Sequence, residues 1–203
     1  SGRAALLQLA HPYVGEAIAD HSITATDPTR RFQATFRRIF RMVFGDLDEA
    51  FDAARGVFRR HGAVRGSLPV AAGPFARGHA YDARDREAEV WVLATLWDTS
   101  LYLFHHVVRP LTRGDRERYY EESKRFARLF GVAKSLPPSY ADFERYVAAT
   151  LAGNLLTVTP RASEVGRRIM APLHPLGRLV QRDFSTFTAH LLPEHVARGF
   201  GLS

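Results

Sequence analysis

The side chains of this sequence best suited to chemistry are its histidines. No cysteine is present, which removes disulfides, thiolate metal sites, haem attachment through C-x-x-C-H and thiol nucleophiles together. Any metal must therefore take His or oxygen ligands. The patterns G-x-S-x-G, G-x-x-x-x-G-K-[ST], G-x-G-x-x-G and H-E-x-x-H are also absent, so the common hydrolase, nucleotide-binding and zinc-protease signatures are missing. His61 stands where a helical pattern runs into Gly62. From there an imidazole can enter a cleft between helices and hold haem iron axially, or it can cap the helix by bonding its last carbonyls. Arg31 and Thr35 are four apart and share a helix face at the edge of an aromatic stripe. They read either as a polar pair bordering an apolar pocket or as an ordinary exposed pair. His11 precedes Pro12 and reads as structural, His21 precedes Ser22, and His105 with His106 closes the most apolar helix.

The elements that must position these residues are helical, because apolar residues recur at three and four and no segment alternates over a strand's length. A first helix is expected over residues 4–20, then a loop through residue 26. The second begins at Asp27, an N-cap, with Pro28 at its first position, and runs to Gly45 with the stripe Phe32, Phe36, Ile39, Phe40 and Val43. Asp46 and Glu49 have capping-box spacing and open a third helix that fades at His61 and Gly62. Residues 66–83 hold Pro69, Pro74 and several glycines and read as an irregular loop. Asp85 starts a helix that is apolar nearly all round, carrying Val90, Trp91, Leu93, Trp97, Leu101 and Phe104, which makes it the central one. Further helices are expected from Asp115 to a stop at Gly131, from the Ser139/Asp142 capping box, from Thr159 and Pro160, and once or twice between Gly177 and Gly199. The fold class is all-α: a single compact multi-helix domain with a central apolar helix, taken as one unit over residues 1–203.

Composition agrees. The chain is 46% hydrophobic and 24% charged, inside the globular range and outside the disordered one. No run is long and apolar enough to span a bilayer and no signal-peptide succession opens the chain, so a cytoplasmic protein is the expectation. The net charge of +7 favours anionic partners in principle. Much of it lies on helices where arginines alternate with acids, with denser clusters at Arg37, Arg38 and Arg41 and at Arg55, Arg59 and Arg60.

Successive blocks carry a resemblance. LLQLAHPYVGEAIADHS (residues 6–22), RFQATFRRIFRMVFG (31–45), HGAVRG (61–66), EVWVLATLWDTS (89–100), RERYYEESKRFARLFGV and LPPSYADFERYV follow one another as in the DUF2236 family, the haem b oxygenase group of the MpaB and latex-clearing-protein rubber oxygenase type. The chain resembles that family over nearly its whole length, and because it opens inside the first block, a short N-terminal segment ahead of residue 1 is implied. In the rubber-cleaving members, the iron takes the histidine of an H-x-x-V/I-x-G element, which falls here on His61 with Val64 and Gly66. Their R-x-x-x-T helix beside the haem falls on Arg31 and Thr35. The resemblance thus implies haem b, His61 as axial iron ligand, Arg31 polarising bound oxygen or pairing with a haem propionate, and Thr35 hydrogen-bonding at the distal face. Two departures stand out. The lysine that rubber-cleaving members place before the threonine is Ala34 here, which speaks against polyisoprene, and Leu93 replaces a histidine common after the Trp-Val pair.

The expected function is a haem b-dependent oxygenase acting with O2 on a hydrophobic, olefinic or terpenoid small molecule, with Phe32, Phe36, Phe40 and the helix from Val90 to Phe104 lining its pocket. A cofactor-free binding or scaffold member of the family is the alternative, with Ala34 and Leu93 as its signs. A basic all-α nucleic-acid binder ranks third, since no helix-turn-helix pair is evident and the arginines spread over several helices.

Overall fold

The computed structural model describes residues 2–21, 28–171 and 178–202, with the side chains of residues 28–32 and 178–182 outside that description. Its first departure from local expectation comes at once: instead of one helix there are two, α1 (Gly2–Ala10) and α2 (Pro12–His21), broken at His11. Pro12 has no N–H to give to the turn before it and its ring crowds that turn's carbonyl, so the chain bends there. Gly15 allows the bend, because a β-carbon on it would lie 2.5 Å from the Leu9 carbonyl oxygen.

Two helices follow as a hairpin, α3 (Pro28–Phe44) and α4 (Leu47–Gly62), joined by Gly45 and Asp46. The expected N-cap of α3, Asp27, lies outside the described residues. Asp46 caps α4 as its spacing predicts, accepting from the Glu49 backbone N–H at 2.8 Å. Residues expected to form an irregular loop contain a small antiparallel ladder instead, β1 (Arg65–Ser67) against β2 (Ala80–Asp82), with Gly66 opposite Tyr81. Strands of three residues leave no alternation to detect, which is why the pattern concealed them.

The central apolar helix is α5 (Arg86–Leu103), N-capped by Asp85, which accepts from the Ala88 N–H at 2.9 Å. It runs on through a π-helical turn, Phe104–Val108. Around it pack α1, α6 (Arg113–Arg128) and α7 (Tyr140–Ala152), while α8 (Pro160–Met170) closes on α1 and α2. Two more helices, α9 (Arg178–His190) and α10 (Glu194–Gly199), complete the fold. Trp91 shows why α5 is central: its ring is fully buried and its indole N–H donates to the Leu7 carbonyl of α1 at 3.0 Å, so a large apolar body is buried without an orphaned donor. Trp97, Tyr120 and Phe143 join α5, α6 and α7 in one aromatic group, with the Tyr120 and Phe143 ring centres 4.8 Å apart. The reciprocal capping boxes at Thr112/Asp115 and Ser139/Asp142 and the Thr159 cap with Pro160 behind it fix where the outer helices start.

A buried polar network ties the first and last parts of the chain together. Glu16 of α2 is completely buried; it accepts from the Thr159 hydroxyl at 2.5 Å and from Arg161 at 3.1 Å. Arg161 also pairs with Asp20, which accepts from the Tyr81 hydroxyl at 2.5 Å. The Tyr81 ring in turn lies on Gly66, where a β-carbon would come 2.6 Å from Cζ and collide with the hydroxyl. Gly66→Ala is therefore expected to push Tyr81 off Asp20 and cost about 1–3 kcal/mol in urea denaturation, the range for stranding a buried partner. In a Tyr81→Phe background the same substitution should cost less, because no hydroxyl–carboxylate bond remains to be lost, although the ring carbons still have to move aside.

Candidate functional site

The α3–α4 hairpin stands outside the main core: none of its described side chains belongs to the large buried cluster built around α5. What holds the two helices together is a narrow stripe on each. On α4 this stripe is alanine-rich, with Ala50, Ala53 and Ala54 buried, and Val57 and His61 continue it at the helical spacing. On α3, Met42 is buried and Thr35, Arg38 and Ile39 are half-buried on the same side. Counting back from the Gly45–Asp46 turn at equal rise, Thr35 comes level with about residue 56 and Arg31 with about residue 60. The antiparallel hairpin thus brings the start of α3 and the end of α4 to one open end, and Thr35 and His61 sit on the stripes that face the partner helix. The backbone of Arg31 is helical; its side chain lies outside the described residues.

His61 is in the last turn of α4 and its side chain is 34% exposed. Its backbone carbonyl accepts from the Val64 N–H at 3.0 Å, which closes the helix into the turn leading to β1. The imidazole does not cap its own helix. Its Nδ1 lies 3.2 Å from Oε1 of Glu89, in the first turn of α5, whose side chain is 17% exposed. A carboxylate can only accept, so Nδ1 carries the proton in this contact, and in the neutral imidazole the lone pair is then on Nε2. Nε2 has no hydrogen-bond partner among the described residues. A ring fixed by a carboxylate at one nitrogen and open at the other is the usual arrangement of a metal-ligating histidine.

Other described histidines are placed elsewhere. His11 is buried against Tyr13 and Phe75, with His79 stacked on Tyr13, as its structural reading requires. Its Nδ1 has no partner, and burial holds its pKa down at about 4, against a smaller opposing pull from Asp85. His21 bonds the Arg65 carbonyl at 3.0 Å. His105 accepts from the Leu111 N–H at 2.8 Å and His106 lies tilted against the Tyr102 ring, their centres 4.4 Å apart. Along the axis of α5 they lie about 24 Å from Glu89. Among the described residues no three His, Asp or Glu side chains converge on one metal position.

The expected pocket lining does not form as expected. Val90, Trp91, Leu93, Trp97 and Leu101 are core, packed against α1, α6 and α7, and line no opening beside His61. Phe36 and Phe40 are about half exposed on the outer face of the hairpin, and the side chain of Phe32 is not described. Helical spacing is the same for a pocket wall, a core and an outer surface, and here packing chose the latter two. One concavity of about 480 Å³ lies between α8 and the C-terminal segment, and another of about 320 Å³ lies beneath the π-helical turn; neither includes His61. Glu89, by contrast, went unnoticed in the sequence. It is 28 residues from His61, and no local spacing links the two.

No helix among the described residues is long and apolar enough to cross a membrane. In comparison with known proteins, residues 1–203 match the family described as ER-bound oxygenase mpaB/B'/Rubber oxygenase, catalytic domain. Neither a curated protein nor a solved structure gives a match.

Proposed function

The chain belongs to the mpaB and rubber oxygenase catalytic-domain family, and from that premise we propose that it is a haem b-dependent oxygenase acting with O2 on a hydrophobic, olefinic or terpenoid small molecule. The observation that carries the reading is the His61–Glu89 pair. A bare metal ion needs several protein ligands, whereas iron held by a porphyrin needs one protein nitrogen, and an anchored imidazole with a free Nε2 is that donor. Bound there, haem would supply the activation of O2 and the redox chemistry that follows.

The protein's own residues do the rest. Glu89 keeps the proton on Nδ1 and holds the ring against rotation. Thr35, on the hairpin stripe that faces α4, offers a hydroxyl donor at the edge of the site. Arg31, one turn earlier in the sequence of α3, brings a permanent cation suited to a propionate carboxylate or to bound oxygen. Ala34 stands where the rubber-cleaving members carry a lysine, and the missing cation beside the threonine argues against polyisoprene as the substrate. Titration of the full chain with hemin tests this. The expected result is a shifted Soret band that saturates at one hemin per chain. Free-hemin absorbance throughout the titration would overturn the reading.

A second reading, a family member that works without cofactor as a helical binding protein, draws on the packed state of α5 and on the position of both concavities away from His61. It predicts the opposite outcome of the same titration.

A further inference from the structure

The hairpin of α3 and α4 has a second face that the oxygenase reading does not use. Phe40, Val43 and Phe44 form a stripe on α3, turned well away from the Thr35 and Met42 side, and Leu47, Phe51 and Phe58 form one on α4; every one of the six is about half exposed or more. At 100° per residue both stripes are rotated in the same sense from the faces on which the helices meet. In an antiparallel pair this brings them to the same side of the hairpin. The result is a broad aromatic surface on an element that projects from the core, larger than the scattered apolar residues usual on a soluble surface.

Charge identifies what this surface suits. Residues 28–62 hold eight arginines and four carboxylates, a net +4 out of the chain's +7. The four acids crowd the turn, at Asp46, Asp48, Glu49 and Asp52, where Asp52 pairs with Arg55 at 2.8 Å and Glu49 with Arg41 at 3.7 Å. Arg37, Arg38, Arg59 and Arg60 have no salt bridge among the described residues. Partial burial and the nearby guanidinium groups of Arg60 and Arg37 lower the Arg38 pKa, so positive charge is concentrated at this end of the hairpin. A second copy of the chain would bring the same positive charge to the same rim.

We propose that the α3–α4 hairpin docks this protein on an anionic lipid surface, its aromatic face entering the boundary between headgroups and acyl chains and its free arginines meeting lipid phosphates. An amphipathic element with phenylalanine and leucine on one side and arginine on its flanks is the form that such in-plane binding takes. The proposal does not require haem, so it stands or falls independently of the oxygenase reading.

Co-sedimentation of the full chain with phosphatidylcholine vesicles, with and without phosphatidylglycerol, tests it. Binding is expected to be about tenfold or more stronger on the anionic vesicles and to weaken as salt is raised, since each arginine near such a surface contributes about fivefold. Phe44→Ser with Phe51→Ser should lower binding about tenfold or more. Arg37→Glu with Arg59→Glu should remove the preference for anionic lipid. Phe184→Ser, at an exposed phenylalanine of α9 and so outside the hairpin segment, should change nothing. All these positions are exposed, and circular dichroism verifies that each variant keeps the wild-type helix content. No vesicle binding, equal binding to both vesicle types, or binding indifferent to both hairpin variants would overturn the proposal. So would light scattering that shows a dimer dissolved by Phe44→Ser with Phe51→Ser, because the face would then belong to a second copy.

Discussion

His61→Ala is expected to abolish the one-to-one hemin complex, and Glu89→Gln to weaken it about 10- to 100-fold, the usual cost of removing the group that orients a metal-bound histidine. The two substitutions separate ligation from positioning. Alanine removes the only nitrogen the proposal gives to the iron. Glutamine at 89 keeps the size of the side chain and can still accept from Nδ1–H, but it removes the negative charge that makes the imidazole a stronger donor. The Glu89→Gln complex should therefore form at higher hemin concentration with a raised reduction potential and a lower iron–histidine stretching frequency in the ferrous state. A complex that survives His61→Ala with its Soret band unchanged removes His61 from the iron. A Glu89→Gln complex of wild-type affinity, potential and stretching frequency keeps His61 but reduces Glu89 to a chance neighbour.

The second large effect is acid lability from His11. Its imidazole is buried with Nδ1 unpartnered, and burial lowers its pKa in the fold from 6.5 to about 4. Below pH 6.5 the unfolded chain takes up a proton at this position that the folded chain refuses until about pH 4. The contribution is therefore complete above 6.5 and lost as pH falls from 6.5 towards 4, by about 3 kcal/mol over the interval. His11→Phe keeps an aromatic ring against Tyr13 and Phe75 but cannot titrate. Urea denaturation at pH 7.5, 5.5 and 4.5 should show the wild type losing stability across that range and the variant losing about 3 kcal/mol less. Parallel pH profiles for the two proteins would show that this histidine is not the source.

How far the sequence carries is clearest where the controlling residues are neighbours. Asp46, Asp85, Ser139 with Asp142, and Thr159 with Pro160 each start a helix at the expected place, because a cap depends on a side chain and a backbone N–H two or three residues away. The all-round apolar character of α5 likewise identified it as the central helix, since nothing but burial on every side accommodates it. Two local expectations failed for local reasons: Pro12 outweighed a continuous apolar period, and strands of three residues are too short to show alternation.

The site belongs to a different category. His61 and the Arg31/Thr35 spacing could be singled out from residue type and family resemblance. The sequence alone could not say whether the imidazole caps its own helix or meets another group, and the tertiary structure decided this by bringing Glu89 of α5 to its Nδ1. Glu16 is the same case over a longer range, its partners Thr159 and Arg161 lying 143 and 145 residues away. The aromatic stripe of α3 has one periodicity, and that periodicity fits a pocket wall, a core or an outer surface equally well; only the packing of α3 on α4, and of neither into the core around α5, turned it outward. Composition and spacing therefore determined which segments are helical and where they begin, because those free energies are settled within one turn. Which side chains meet, and which are left facing out, depends on burial summed over the whole chain, and that sum exists only in the folded molecule.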